Sequence, residues 1–131
     1  MIASNSNVGN GKGLENLRVL VVEDEALVGM LLEDMLTDIG CAQVELLSRF
    51  ADGLHAAKTG SFDLAVLDVN LDGVPSFPIA ELLIARKIPL LFATGYGAGG
   101  MASRFADIPT LQKPFFFSDL EKGVRAALAA G

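Results

Sequence analysis

A short apolar run that ends in a carboxylate, residues 64–70 (LAVLDVN), constrains the fold of this chain more than any other stretch. Four aliphatic residues lead without interruption to Asp68, which is typical of a strand buried on both faces of a parallel sheet. A charge at the end of such a strand must be solvated or paired. In open α/β sheets, the carboxyl ends of the strands form the crevice that binds ligands. Asp68 is therefore the first candidate for chemistry.

Strand-like and helix-like segments alternate five times along the chain, which predicts a parallel sheet with helices on both faces and right-handed crossovers. The fourth predicted helix, at about residues 99–105, has a glycine-rich start. Because each helical glycine costs about 1 kcal/mol relative to alanine, we expect this segment to be short or mobile. The predicted strands span about residues 18–22, 42–47, 64–70, 90–94 and 110–112, and the predicted helices about residues 27–39, 50–58, 77–86, 99–105 and 118–128.

Composition favours one globular domain and excludes several classes of function. The 131 residues are 51% hydrophobic and carry a net charge of −6, which disfavours a nucleic-acid partner. No apolar run approaches the roughly 18 residues of a membrane span, and the amino terminus lacks a signal-peptide core, so we expect a cytoplasmic protein without a membrane partner. Residues 1–16 are predicted to be a flexible leader and residues 17–131 the domain, with no output domain attached.

Polar groups stand at the ends of four predicted strands. Glu23 and Asp24 follow the first strand, Asp68 ends the third, Thr94 ends the fourth and Lys113 follows the fifth. Because parallel strands end at one edge of the sheet, we expect these side chains to share a crevice. Three carboxylates there carry a charge of −3, which one Mg²⁺ and one ammonium group would balance.

This combination of groups suggests phosphoryl transfer onto Asp68, because a carboxylate is a competent nucleophile towards phosphorus. Mg²⁺ prefers one or two carboxylates together with water and phosphate oxygens. Asp24 and Asp68 therefore suit direct ligation, and Glu23 suits a role through water. Lys113 would neutralise the transferring oxygens, and Thr94 would donate a hydrogen bond to one of them.

The sequence resembles bacterial response-regulator receiver domains over nearly all of residues 17–130. The resemblance implies a flavodoxin-like doubly wound sheet of five parallel strands in the order 2-1-3-4-5, with about five helices. It also implies a histidine kinase or histidine phosphotransfer protein as donor, Asn70 as a metal ligand through its backbone carbonyl, and a cis Lys113–Pro114 bond. The segments that carry the resemblance are residues 21–25 (VVEDE), 67–70 (LDVN), 93–95 (ATG) and 113–115 (KPF).

Residues 92–97 (FATGYG) are similar to the hallmark of a narrower group, the FAT GUY receivers. Members of that group are typically stand-alone domains that work with histidine kinases, often of the HWE class. Thr110 occupies the place where ordinary receivers have a switch aromatic. The resemblance therefore implies a switch that includes Thr94, Gly95 and Thr110, in which Tyr96 takes part.

Two other classes of function remain open from the sequence. The first is a binding module that uses the crevice without phosphate chemistry, and the second is a phosphatase or a nucleotide-binding enzyme. We expect a phosphoacceptor rather than an enzyme, because aspartate-nucleophile phosphatases need a second aspartate where Asn70 stands. The output is expected to be contact with a downstream protein, or service as a phosphate sink. Residues 115–117 (FFF) could form a partner patch or pack under the last helix.

Overall fold

The computed structural model describes residues 14–95 and 103–130. Predictions for residues 1–13, for Tyr96 and for most of the glycine-rich segment lie outside these ranges. None of the helices within these ranges is both long and apolar enough to cross a membrane. The elements in chain order are β1 (Arg18–Val22), α1 (Ala26–Ile39), β2 (Gln43–Leu47), α2 (Phe50–Thr59), β3 (Leu64–Asp68), β4 (Asn70–Leu71), β5 (Val74–Pro75), α3 (Phe77–Ala85), β6 (Leu90–Thr94), the 3₁₀-helix Ser103–Phe105, β7 (Thr110–Gln112) and α4 (Phe117–Ala130).

Five strands form one parallel sheet in the order β2-β1-β3-β6-β7. The short strands β4 and β5 pair separately as an antiparallel hairpin. The main sheet therefore has the predicted order 2-1-3-4-5 when only its own strands are counted, and the predicted flavodoxin-like fold is confirmed. The register pairs Val22 with Leu67, Asp68 with Ala93, and Thr94 with Gln112, so the strand ends meet at one edge.

Strand β3 lies at the centre of the sheet and is buried on both faces. Leu64 and Val66 contribute to the core beneath α1 and α4. Ala65 and Leu67 contribute to the core on the opposite face, beneath α2 and α3. Because successive strand side chains point to opposite faces, a strand covered on both sides needs an apolar residue at every position. This is the physical reason for the uninterrupted apolar run before Asp68.

The packed region extends into the sequence assigned to the leader. Leu14 is buried in the core beneath α1 and α4, and the Asn16 N–H donates to the Gly40 carbonyl at 3.2 Å. Gly40 ends α1 with a φ of +117°, a left-handed conformation that glycine adopts without strain. The packed domain thus includes residues from Leu14 onward.

The described part of the predicted fourth helix is a single 3₁₀ turn, Ser103–Phe105, that is anchored by an aromatic cluster. Phe105 is 2% exposed, and its ring centroid lies 4.9 Å from that of Phe77 and 5.6 Å from that of Phe92. Four α-helices and this turn therefore stand in the described ranges where about five helices were expected. The end of the segment is held by aromatic packing, which its glycine content did not predict.

The three consecutive phenylalanines divide between the two environments that the sequence left open. Phe115 packs against the core beneath α1 and α4, whereas Phe116 is 78% exposed and Phe117 is 39% exposed. Helix α4 begins at Phe117, and the Phe116 N–H donates to Asp119 Oδ2 at 2.8 Å. The Asp119 carboxylate therefore satisfies a backbone donor at the start of α4.

Gly53 lies where α2 approaches the sheet closely, and we expect Gly53→Ala to destabilise the protein. A Cβ atom there would lie 2.9 Å from Val22 Cγ1 and 3.1 Å from Ile79 Cδ1, and both side chains are buried. Overpacking of this kind costs about 1–3 kcal/mol, which exceeds the helix propensity of about 1 kcal/mol that alanine gains. Urea denaturation should show a lower free energy of unfolding.

Gly29→Ala is the matched control, because its Cβ would lie 2.9 Å from Leu46 Cδ1, the end of a half-buried and flexible side chain. Leu46 can move aside, so the gain in helix propensity should leave this variant as stable as wild type or more stable. Equal unfolding free energies for the two variants would contradict the expected difference.

Candidate functional site

The carboxyl ends of the strands surround a cleft of about 360 Å³. Asp68 ends β3, Asp24 follows β1, and Lys113 follows β7, so the parallel register brings the three side chains to the same edge. Asn70 and Gly95 also line the cleft, which means that the structure groups five residues predicted from the sequence. Its full lining consists of Asp24, Glu25, Asp68, Asn70, Asp72, Gly73, Gly95 and Lys113.

The Lys113 ammonium group lies at the centre of three carboxylates. Its Nζ atom is 2.8 Å from Glu23 Oε1, 3.2 Å from Asp68 Oδ2 and 3.3 Å from Glu25 Oε1. The Lys113 backbone N–H donates to the Thr94 carbonyl at 2.8 Å, which fixes the lysine backbone against β6. The Lys113–Pro114 peptide bond is cis, as the resemblance implied.

The site carries more negative charge than one ammonium group neutralises. The pKa of Asp68 is raised to about 7, chiefly by burial and then by the neighbouring Glu23, while Lys113 and the Asn70 N–H act in the opposite direction. Burial would lower the pKa of Lys113, but Glu23 and Asp68 outweigh it and hold that pKa at about 12. Lys113 is therefore a cation at neutral pH. A second cation in the cleft would stabilise the charged form of Asp68.

Glu23 is the most deeply buried acid of the site, at 1% exposure. Its Oε2 accepts the Glu25 N–H at 3.0 Å, and its Oε1 contacts the ammonium of Lys113 as an ion pair. The alignment of that contact is not that of a hydrogen bond, so Oε1 accepts no hydrogen bond within the described ranges. A buried carboxylate oxygen in this condition has capacity for a further donor, such as the metal-bound water that the sequence suggested.

The β4–β5 hairpin directs the Asn70 carbonyl towards the cleft. Asn70 pairs with Pro75, which has no N–H to donate. In the adjacent pair, Val69 and Ser76, the Ser76 N–H donates to the Val69 carbonyl at 2.9 Å. Asn70 therefore occupies a non-hydrogen-bonded pair, whose N–H and C=O both face away from the partner strand. Its N–H donates to Asp68 Oδ1 at 3.3 Å, so its carbonyl faces the same side.

Asp24 is oriented differently from the other acids. Its Oδ2 accepts the Asp72 N–H at 3.0 Å, at the tip of the hairpin. The carboxylate oxygens that lie within 4.8 Å of one another belong to Glu23, Glu25 and Asp68. Sequence reasoning missed the part played by Glu25, although it is the third of three consecutive acids after β1. The Asp72-Gly73 turn, whose backbone holds Asp24, is a hairpin signal in the sequence between the third predicted strand and the third predicted helix.

Two residues of the predicted switch are not among those that line the cleft. Thr110 is exposed at the start of β7, where its hydroxyl donates to the Ile108 carbonyl at 3.3 Å. Thr94 is 2% exposed at the end of β6 and is tied to Lys113 through its carbonyl. Gly95 follows it and does line the cleft. The placement of Tyr96 lies outside the described residues.

The donor set of the cleft fits Mg²⁺. It consists of carboxylates and a backbone carbonyl, and hard divalent cations take such oxygen ligands. The raised pKa of Asp68 and the buried Glu23 oxygen both indicate that the site can accept positive charge. The arrangement can therefore hold a divalent cation beside a buried, lysine-paired aspartate.

Comparisons with known proteins give one family. The chain is 34% identical over 119 residues to the transcriptional activator protein IrlR of Burkholderia pseudomallei, across 88% of this chain and 52% of that protein. It spans about half the length of the curated relatives it matches. The solution structure of SdrG from Sphingomonas melonis Fr1 matches with a TM-score of 0.76 and 44% identity, over 85% of this chain and 95% of that chain.

A third similar protein shares the fold alone. It is the receiver domain of the sensor histidine kinase PA1611 from Pseudomonas aeruginosa, with a TM-score of 0.75 and 21% identity over 87% of this chain and 98% of that chain. That structure has a magnesium ion coordinated in its active-site cleft. The model of the response regulator receiver domain family matches residues 19–125. The chain therefore belongs to the response regulator receiver domains of two-component systems.

Proposed function

We propose that this chain transmits a signal by accepting a phosphoryl group on Asp68, in the presence of Mg²⁺, from a histidine kinase or a histidine phosphotransfer protein. Receiver domains interact with these two classes of protein. The observation that carries the proposal is the buried Asp68 carboxylate, whose Oδ2 lies 3.2 Å from Lys113 Nζ at the open edge of the sheet. The carboxylate supplies a nucleophile, and the ammonium group stabilises negative charge that develops beside it.

In the proposed transfer, an Asp68 carboxylate oxygen bonds to phosphorus while the P–N bond of a donor phosphohistidine breaks. The electron pair of that bond stays on the imidazole nitrogen. The Asn70 N–H holds Asp68 Oδ1 and Lys113 holds Oδ2, so the carboxylate is oriented before the reaction. Thr94, fixed beside Lys113 by a backbone hydrogen bond, is proposed to donate its hydroxyl to a phosphoryl oxygen.

The metal ligands proposed for this site are Asp24, Asp68 and the Asn70 carbonyl, with Glu23 acting through water. When bound, Mg²⁺ would supply positive charge to the transferring oxygens. The direction of the Asn70 carbonyl supports its role, and the buried Oε1 of Glu23 supports a water-mediated one. Lys113 supplies the other positive charge, so that the two cations together would balance the carboxylates of Glu23, Asp24 and Asp68.

Phosphorylation would change the balance of partners around Lys113. The phosphoryl group adds close to two negative charges and new acceptor oxygens to Asp68. Lys113 would then be drawn from Glu25, which is 63% exposed and screened by water, towards the phosphoryl oxygens. We infer that this shift is relayed through Thr94 and Gly95 with Tyr96. The output would then be contact with a downstream protein, or the chain would serve as a phosphate sink.

Asp68 is proposed to be an acceptor and not a centre of rapid hydrolysis. In aspartate-nucleophile phosphatases a second aspartate two residues later acts as general acid, and this chain has Asn70 there. The Asn70 side-chain Oδ1 accepts the Gly73 N–H at 2.7 Å, so its amide is engaged in the hairpin turn.

A binding module that uses the same cleft without phosphate chemistry is the second candidate, because the fold and the charge cluster would suit it equally.

A finer assignment rests on residues 92–97 (FATGYG) alone. We propose that the chain is a receiver of the FAT GUY group and that its donor is a histidine kinase of the HWE class. The match to SdrG over 95% of that chain is compatible with a receiver that acts as a separate unit. Phosphotransfer from purified kinases of the HWE class and of other classes would test this, with faster transfer expected from the HWE kinase.

Acetyl phosphate with Mg²⁺ should convert the wild-type protein to an adduct of one phosphoryl group, detected by intact mass. Asp68→Asn should abolish the adduct, because an amide cannot replace the carboxylate nucleophile. Asp34→Asn removes an exposed carboxylate on α1 and is the matched control, which should be modified as wild type is. Absence of an adduct on wild type would favour the binding module, and rapid multiple turnover would favour a phosphatase.

The stability of the metal-free protein should fall as pH rises towards 8. The raised pKa of Asp68, about 7 against an ordinary 3.8, means that the folded state binds more protons than the unfolded state between these values. The associated stability is fully present below the ordinary pKa and is lost as pH rises through about 7. Urea denaturation at pH 5 to 8.5 should show this fall in wild type and a flatter profile in Asp68→Asn.

Asp34→Asn should follow the wild-type profile, since Asp34 is exposed on α1 and is not among the residues that line the cleft. Millimolar Mg²⁺ should raise the wild-type melting temperature at pH 8 by binding only the folded state, and should raise that of Asp68→Asn much less. Parallel pH profiles for wild type and Asp68→Asn would show that the buried carboxylate carries no electrostatic penalty.

A further inference from the structure

Two consecutive backbone N–H groups at the tip of the β4–β5 hairpin bind two of the residues proposed as metal ligands. The Asp72 N–H donates to Asp24 Oδ2 at 3.0 Å, and the Gly73 N–H donates to Asn70 Oδ1 at 2.7 Å. We propose that this hairpin tip is a positioning element for the metal site, acting through Asp24 and Asn70. The inference rests on the proposed function, because it presumes that the cleft binds Mg²⁺.

The contact with Asp72 fixes the direction of the Asp24 carboxylate. Asp24 is half-exposed just after β1, so its side chain would otherwise be free to rotate towards Lys113, where Glu23 and Glu25 already converge. A carboxylate has two oxygens, and one bond to Oδ2 leaves Oδ1 available. Groups that hydrogen-bond to a metal ligand in this way raise affinity by orienting the ligand before binding.

The contact with Gly73 acts on the backbone of the other ligand. The Asn70 side chain closes the hairpin turn, and the hairpin pairing sets Asn70 opposite Pro75. That pairing turns the Asn70 N–H towards Asp68 and its carbonyl towards the cleft. Loss of the turn would therefore release the carbonyl from its direction without removing any ligand atom.

Both residues at the tip adopt left-handed backbone conformations, with φ of +52° at Asp72 and +86° at Gly73. Glycine, asparagine and aspartate tolerate this region, whereas β-branched residues are strained in it. A Cβ atom on Gly73 would have no heavy atom within 4 Å. A substitution there acts through backbone conformation alone, which makes Gly73 a clean place to test the hairpin tip.

The test is a Mg²⁺ titration of the full chain at pH 8, followed by amide NMR, with wild type, Gly73→Val and Gly73→Asn compared. Gly73→Val should weaken Mg²⁺ binding about tenfold, the lower end of the effect of losing such supporting contacts. Gly73→Asn should bind within about twofold of wild type because asparagine accepts a positive φ. Melting temperatures without Mg²⁺ check that each variant folds.

Asn70→Ala covers the case in which Gly73→Val fails to fold. It removes the acceptor of the Gly73 N–H and leaves the Asn70 backbone carbonyl in place, so weaker Mg²⁺ binding would arise from the turn. Asp72→Asn keeps the N–H and the left-handed conformation and removes only a charge. It should therefore weaken binding less than Gly73→Val does.

The outcomes separate this inference from the proposed function. Saturable Mg²⁺ binding by wild type, with equal affinity in Gly73→Val and Asn70→Ala, would overturn the role of the hairpin and leave the metal site standing. A loss in Asp72→Asn as large as that in Gly73→Val would assign the effect to the carboxylate charge and would also overturn it. No saturable binding by wild type would remove the metal site, and this inference with it.

Discussion

The ion pair between Lys113 and the buried end of β3 is the interaction on which the rest of the site depends. One ammonium group lies within 3.3 Å of three carboxylate oxygens, from Glu23, Glu25 and Asp68. Without it, two buried acids would share one low-dielectric pocket with no counter-charge, which is costly. With it, the pocket still carries an excess of negative charge, and that excess is what suits the pocket to a divalent cation.

The fold makes this pairing possible over long distances in sequence. Lys113 is 45 residues from Asp68, and their meeting requires β7 to lie two strands from β3 in parallel register. Close packing on both faces of β3 fixes that register, because a shift by one residue would put Ala65 and Leu67 in the layer that Leu64 and Val66 fill. The packing of both core layers therefore holds Asp68 and Lys113 together at the edge of the sheet. The Thr94 carbonyl fixes the lysine backbone locally.

The sequence was sufficient for the sheet and for the residues at its edge, because both follow from simple periodicities. An unbroken apolar run implies a doubly covered strand, and alternation with helices implies a common edge for Asp68 and Lys113. The direction of each side chain at that edge was beyond such reasoning. Asp24 and Glu25 are neighbours in the sequence, yet Asp24 faces the hairpin and Glu25 faces the ammonium. A loop after a strand has no period from which such directions can be read.

The two segments that the sequence described least well differ in the reason. Most of the predicted fourth helix lies outside the described ranges, and the anchoring of Phe105 at its end between Phe77 and Phe92 depends on tertiary contacts with α3 and β6, which no local pattern encodes. In the β4–β5 hairpin, by contrast, the information was local and was present. Asp72-Gly73 is a strong signal for a two-residue turn with positive φ. Such a turn exposes consecutive N–H groups, and beside an acidic cleft those groups become partners for carboxylate and amide oxygens.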